Sequence, residues 1–356
     1  MKIPGGARSV AGGLVAAILT ALSFGASARA CTFERGPFLE EIARQAKSCS
    51  HPLCGQILAT GPAAVEPSDA SCAGDPWMRL KAAASAAMSS GGVLILGETH
   101  DNAEHHLLQA AAVEEFGGQS AAKRPAVVFE QLRADQEAGL ATFKALSDSA
   151  TPGDGTLGDL KRLVDWEKSS WPKDIYDPLF AAAIALRLPI YAGDVSRAEI
   201  MKAAKGGEAA LSPESRSRLG LDLPLGDSLD AASVKEIENA HCGALPKEAF
   251  GGMAYAQRYR DAHLANAVLE AAATDGAVFL IAGTGHARTD RGVPWYIRHR
   301  DGKKMIVSVM FAEVEDGNDD PQSYVPQDPD GQPAADFVVF TARTERGDPC
   351  EKMRKK

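Results

Sequence analysis

Between Glu98 and His106 the chain places three histidines (His100, His105, His106) and three carboxylates (Glu98, Asp101, Glu104), although it has only eight histidines in all. Such a set can bind a metal, bind haem, carry protons or simply decorate a helix. The cluster begins where an apolar run, Val93-Leu94-Ile95-Leu96-Gly97, stops. Two more apolar runs end the same way: Val127-Val128-Phe129 is followed by Glu130 and Gln131, and Phe279-Leu280-Ile281-Ala282-Gly283 by Thr284-Gly285-His286. Gly193-Asp194 is a weaker fourth case. His100 and His286 both follow a glycine at Gly-x-x-His spacing, and the glycines allow tight turns and close backbone approach. Imidazoles and carboxylates suit acid–base work or divalent metal ligation, and mixed His/carboxylate sets accept zinc, manganese or iron without choosing among them.

These residues meet only if their strands are parallel. Ligands in open α/β sheets bind at the carboxyl ends of the strands. The pattern predicts such a sheet. Continuous apolar strands at "VLILG", "PAVVFEQL", "LPIYAGDV" and "GAVFLIAGTGH" alternate with the amphipathic helices "AEHHLLQAAAVEEF", "ADQEAGLATFKAL", "SRAEIMKAAK" and a long one within 244–273. The expected fold is α/β: a mostly parallel sheet with helices on both faces, plus a disulfide-containing N-terminal extension. "MIVSVMFAEV" and "DFVVFTAR" are late strands. The segments 152–171 and 211–242 read as irregular insertions, and 315–335 as an exposed acidic loop. One rim would then gather Glu98, His100, Glu130 and His286. His105 and His106 project about 100° apart on their helix, so only one can share a face with the His100 loop; the plainer alternative is one packed and one solvated imidazole. In the long helix Tyr255 and Tyr259 are one turn apart, as are Gln257 and Asp261; Arg260 lies on an adjacent stripe. Core packing with polar edges accounts for most of that pattern.

The N-terminus reads as an export leader. Lys2 and Arg8 precede an Ala/Leu/Val-rich segment, and Ala28-Arg29-Ala30 forms an A-x-A cleavage site. Cleavage there makes Cys31 the first mature residue. A lipid anchor on Cys31 is the weaker alternative, because Ala28 stands where a large aliphatic residue would be needed. Loss of residues 1–30 takes the formal charge from −9 to −12. That acidity disfavours nucleic acid and anionic membrane surfaces as partners. All six cysteines lie beyond the leader, which suits disulfides in an exported protein. Cys31–Cys72 and Cys49–Cys54 are the expected pairs; Cys242 and Cys350 are either a long-range pair or free thiols. The domains expected are the leader at 1–30, a Cys-rich extension at 31–74, the α/β domain at 75–345 and a basic tail at 346–356. There is no G-x-S-x-G, H-E-x-x-H, Walker A or G-x-G-x-x-G sequence, which disfavours serine hydrolysis and nucleotide chemistry.

"LGETHDNAEHHLLQ", "VVFEQL", "HCGALP", "MAYAQRYRDAHLANAV" and "IAGTGHARTDRGVPWYIR" resemble the ChaN-type haem-binding uptake proteins of the Tiki superfamily, in order, from about Gly91 to Val314. The resemblance implies an envelope protein of haem or iron acquisition, in the periplasm or cell envelope. Its partners would be haem or an iron compound, other envelope uptake proteins and a second copy of the chain. The favoured cofactor is haem, and His106, His241, Tyr255 and Tyr259 flank the rim as candidate binding residues. The wider superfamily includes hydrolases whose matching motifs form the active site. On that alternative Glu98, His100, Glu130 and His286 are catalytic, with Glu98, His100 and His286 holding a divalent metal such as Zn, Mn or Fe.

Overall fold

The computed structural model describes residues 31, 33–61, 67–118, 123–149, 153–347 and 350–351. The leader at 1–30 and most of the tail at 346–356 fall outside the described residues. Seven strands form one sheet: β1 (Ile57–Ala59), β2 (Val93–Glu98), β3 (Ala126–Arg133), β4 (Ile190–Asp194), β5 (Val278–Gly283), β6 (Ile306–Glu313) and β7 (Phe337–Thr341). Their order is β1-β7-β6-β2-β5-β3-β4. The pairings are parallel except for β1 against β7. The helices are α1 (Pro37–Ser48), α2 (Pro76–Ser89), α3 (Ala103–Gly117), α4 (Glu137–Ser147), α5 (Leu157–Leu163), α6 (Asp177–Ala185), α7 (Arg197–Gly206), α8 (Pro213–Leu219), α9 (Asp227–Ala240), α10 (Lys247–Asp275), α11 (Thr284–Ala287) and α12 (Val293–Arg300).

Successive strand residues point to opposite faces, and both faces are covered. Leu94, Leu96, Phe129, Phe279 and Ile281 pack with Phe38 of α1, Trp77 of α2, Leu108 of α3 and Phe180 of α6. Val93, Ile95, Val128, Val278 and Leu280 pack with Leu264 and Val268 of α10 and Tyr296 of α12. Two-sided burial is why these strands read as unbroken apolar runs. The N-terminal segment shares this core through Phe38 and Ile42, and adds β1 to the sheet. It carries the disulfides Cys31–Cys72 and Cys49–Cys54; Cys242 pairs with Cys350.

Two segments expected to be irregular are helical. Residues 152–171 contain α5, closed at its start by a reciprocal Thr156–Asp159 capping box. Residues 211–242 contain α8 and α9. Ser212 caps α8, and Gly220 ends it in the left-handed region. None of the residues of α9 is buried. Its inner face is only half-buried, through Leu229, Val234 and Ile237, which leaves a weak apolar stripe in the sequence. The acidic loop at 315–335 is largely exposed, but Val325, Ala334 and Ala335 are buried. Among the described residues no helix is long and apolar enough to cross a membrane.

Candidate functional site

Strands β2, β5 and β3 lie side by side and run the same way, so their carboxyl ends form one rim. Glu98 stands level with Gly283, and Phe129 stands level with Ile281. The β3–β4 register shifts between Phe129 and Arg133, which breaks the ladder beside Glu130. Glu98, Glu130 and His286 are buried, and His100 is half-buried. The four residues expected to converge are therefore brought together. They form two carboxylate centres joined by one imidazole.

The first centre is Glu98. Its Oε1 accepts hydrogen bonds from the Tyr176 hydroxyl at 2.6 Å, His100 Nδ1 at 2.8 Å and Gln131 Nε2 at 2.9 Å. Its Oε2 lies 3.1 Å from His106 Nδ1 but has no hydrogen-bond partner, and Gln131 Oε1 also has none. Burial pushes the carboxyl up; the His106 and His100 imidazoles outweigh it and hold Glu98 well below the usual carboxylate range. Burial likewise pushes His100 down, while Glu130 and Glu98 bring it to a net rise. The His100 ring packs edge-on against Trp171 at 4.7 Å. With Nδ1–H donated to Glu98, Nε2 points to the rim.

The second centre is Glu130. The Gly283 N–H donates to Oε2 at 2.7 Å, and Arg260 donates to Oε1 at 2.6 Å and to Asp194 Oδ2 at 2.6 Å. His286 Nε2 lies 3.3 Å from Glu130 Oε1, and its Nδ1 lies 2.6 Å from Asp261 Oδ1. Burial pushes His286 down, but Glu130 and Asp261 raise it to about 10. Burial is also the main cause that takes Asp261 up to about 6. Burial works against ionisation of Glu130 too; His286, His100 and Arg260 together keep it well below its ordinary value. His100 Nε2 stands 3.8 Å from Glu130 Oε1 and links the two centres. The backbone must come close here: a methyl group at Gly283 would lie 2.7 Å from His100 Nε2.

The remaining candidates separate. His105 and His106 are both buried, so the alternative of one solvated imidazole does not hold, and only one of the two faces the site. His106 faces Glu98. His105 accepts the Thr99 N–H at Nδ1 (2.8 Å) and meets the Thr341 hydroxyl at Nε2 (2.8 Å), so burial drives it down to about 3 and it serves as a neutral structural group. Tyr259 is buried in the core on the α10 side of the sheet. His241 ends α9, its Nδ1 donating to Ile237 O at 2.8 Å. The Tyr255 hydroxyl is sealed from solvent without a hydrogen-bond partner. Glu98, His100 and His286 do not form a three-ligand set: Glu98 is turned to His100, and His286 to Glu130 and Asp261. Among the described residues no group of three or more His, Cys, Asp or Glu stands in metal-holding geometry.

Several partners escaped the sequence. Tyr176 and Trp171 come from a stretch without clear period, and Gln131 stood in view behind Glu130. Gln257, Arg260 and Asp261 looked like the polar edge of a packed helix, although their spacing of three and four residues was the signal that one helix face is polar and inward. A scaffold would satisfy its buried acceptors. Here the Gln131 amide oxygen is buried without a donor, beside the half-exposed His100 imidazole and two buried carboxylates, which suits a site better than a scaffold.

Fold and site together define a class: a parallel α/β protein with a histidine–carboxylate network on the carboxyl ends of three adjacent strands. The family model described as haem-binding uptake, Tiki superfamily, ChaN matches residues 84–297, more than half of the chain, and the chain belongs to that family. A solved structure described as cofacial heme binding to ChaN of Campylobacter jejuni is 20% identical, covers 72% of this chain and 89% of that chain, and superposes with a TM-score of 0.54. That likeness shows a shared fold. An erythromycin esterase mutant in its open conformation is 12% identical, with 83% and 86% of the two chains covered and a TM-score of 0.38, too low to carry an argument. No curated protein is a significant match.

Proposed function

We propose that this is an exported protein of the cell envelope that binds haem or an iron compound and takes part in its uptake. The observation that carries the proposal is the family match over residues 84–297. Export is supported by the leader-like N-terminus and by three disulfides, which persist in oxidising compartments. Haem iron takes an imidazole or phenolate axial ligand. Both nitrogens of His106 are engaged, Nδ1 with Gln109 and Glu98 and Nε2 with the His100 carbonyl. Tyr259 lies in the core. Tyr255 fits best, because it lines a cavity with Leu225, Val234, Ala254 and Arg258 and its hydroxyl has no hydrogen-bond partner. A bound haem would supply the iron for that phenolate to hold. A homodimer is the assembly to look for, since cofacial binding is described for the Campylobacter relative.

The test is a hemin titration of residues 31–356 by absorbance. A Soret shift that saturates at a simple stoichiometry is expected, with affinity reduced about tenfold or more in Tyr255→Phe. Absence of saturable binding removes the proposal. Mass measurement with and without hemin reads the assembly, and the mature N-terminus read from exported protein checks cleavage before Cys31.

One observation favours a second reading, a hydrolase. His100 has its Nδ1 fixed by an ionised, buried Glu98 and its Nε2 at the rim, the arrangement of a general base that takes a proton from water. Glu98, Tyr176 and Gln131 would hold the ring and its tautomer. Ester and peptide hydrolysis that vanishes in His100→Ala would establish this reading; equal rates in both proteins would end it.

A further inference from the structure

Helix α9 lies over α10 without filling the space between them. Ser233, Glu236 and Ile237 on α9 wall a cavity of about 180 Å³, and Gln257 and Asp261 on α10 and Gly285 beside His286 complete it. A second cavity of about 280 Å³ shares Ser233, Ala254 and Arg258 with the first and reaches Tyr255. A fourteen-residue helix is marginal on its own in water, and α9 buries none of its residues. A half-buried face (Leu229, Val234, Ile237) and a few point attachments hold it. Glu236 pairs with Arg291 partway along the helix, and Arg291 is steadied by Asp290 at 2.6 Å. Past its carboxyl end, Cys242 is cross-linked to Cys350. At its amino end no side chain caps the helix.

A glycine flanks the helix at each end. Gly226 (φ 98°) and Gly243 (φ 63°) both sit in the left-handed region, and a methyl group at either would meet nothing within 4 Å. Packing does not require glycine there; backbone conformation does. We propose that α9 is a hinged cover over a ligand chamber reaching Gln257 and Asp261, pinned at its carboxyl end by Cys242–Cys350 and latched by Glu236–Arg291. It lifts from the Gly226 end. Each cavity is smaller than the ~300–1,000 Å³ of sites that enclose a drug-sized ligand. A macrocycle such as haem would enter with α9 raised, a consequence that rests on the haem reading, whereas the cover itself does not.

Amide hydrogen exchange on the purified, disulfide-bonded protein from the full chain tests the cover without any ligand. The amides of α9 should exchange about tenfold or more faster than those of β5, and Glu236→Gln should accelerate α9 by about fivefold while β5 is unchanged. Cys242→Ser with Cys350→Ser should free the pinned end and accelerate α9 further. Exchange in α9 as slow as in β5, or unaltered by Glu236→Gln, overturns the proposal. Hemin association by stopped flow is the second arm, expected to be faster in Glu236→Gln. If hemin binds neither protein, the haem reading fails while the exchange result still decides the cover.

Discussion

His286 shows how single residues set the behaviour of the site. Free histidine titrates near 6.5, and in this fold His286 titrates near 10. A raised folded value means the stability it contributes is fully present below about pH 6.5 and is lost as pH rises through 10. Glu98 and Glu130 are depressed from 4.5, so their share is present above that pH and lost as acid is added. The melting temperature of the wild type should therefore fall between pH 7 and 10 more steeply than that of His286→Gln; parallel curves would show that the Glu130–His286–Asp261 chain contributes nothing. Tyr176→Phe is the second prediction at this scale. It removes a 2.6 Å donor from a buried carboxylate, and hydrogen bonds to charged groups contribute ~1.5–3 kcal/mol. Urea unfolding should show a loss of that size, and a change within about 0.5 kcal/mol would mean that Glu98 is held without it. Glu98 and His100 were legible because they interrupt an apolar run. Tyr176 was not, because an aromatic residue near a helix start reads as packing.

Elements bring these residues together, and the turn after β5 is a tight joint. Gly283 has an ordinary backbone conformation (φ −62°), so alanine there carries no backbone strain. Its methyl group would instead lie 2.7 Å from Nε2 and 2.8 Å from Cε1 of His100. Gly283→Ala should keep its far-ultraviolet circular dichroism yet push the His100 ring from between Glu98 and Glu130. The raised titration of His100, followed by NMR, should then fall back toward the free value; an unaltered titration would show that the joint has slack. The strand ends were readable because parallel β2, β5 and β3 are buried on both faces, which turns each into an apolar run with an abrupt polar end. The bulge in β3 had no such mark. Nor did α8 and α9: α8 is seven residues long and buries only Leu219, and α9 has no fully buried residue.

At the scale of the whole molecule, the sequence separates a Cys-rich segment from the α/β domain, and the structure packs the two into one core. Phe38 is 1% exposed, and its ring lies 5.9 Å from Trp77, 6.5 Å from Phe116 and 6.4 Å from Phe311. The segment looked like an appendage because its buried apolar residues are few and its one amphipathic helix is short, with Phe38 and Ile42 a turn apart. Its tie is also covalent, through Cys31–Cys72, whose partners are 41 positions apart. Closing a loop of that length contributes about 4 kcal/mol on the chain-entropy model. Replacing a core phenylalanine by alanine costs roughly 3–5 kcal/mol. If the segment belongs to the core, Phe38→Ala shifts one cooperative unfolding transition, and tryptophan fluorescence and far-ultraviolet dichroism move together to lower denaturant. If it were an appendage, a separate early transition would break away and the main one would stay where it is in the wild type. Cys31→Ser with Cys72→Ser should act in the same direction, and the two changes should add to less than their sum, because both loosen α1 from the face of the sheet that covers Phe311.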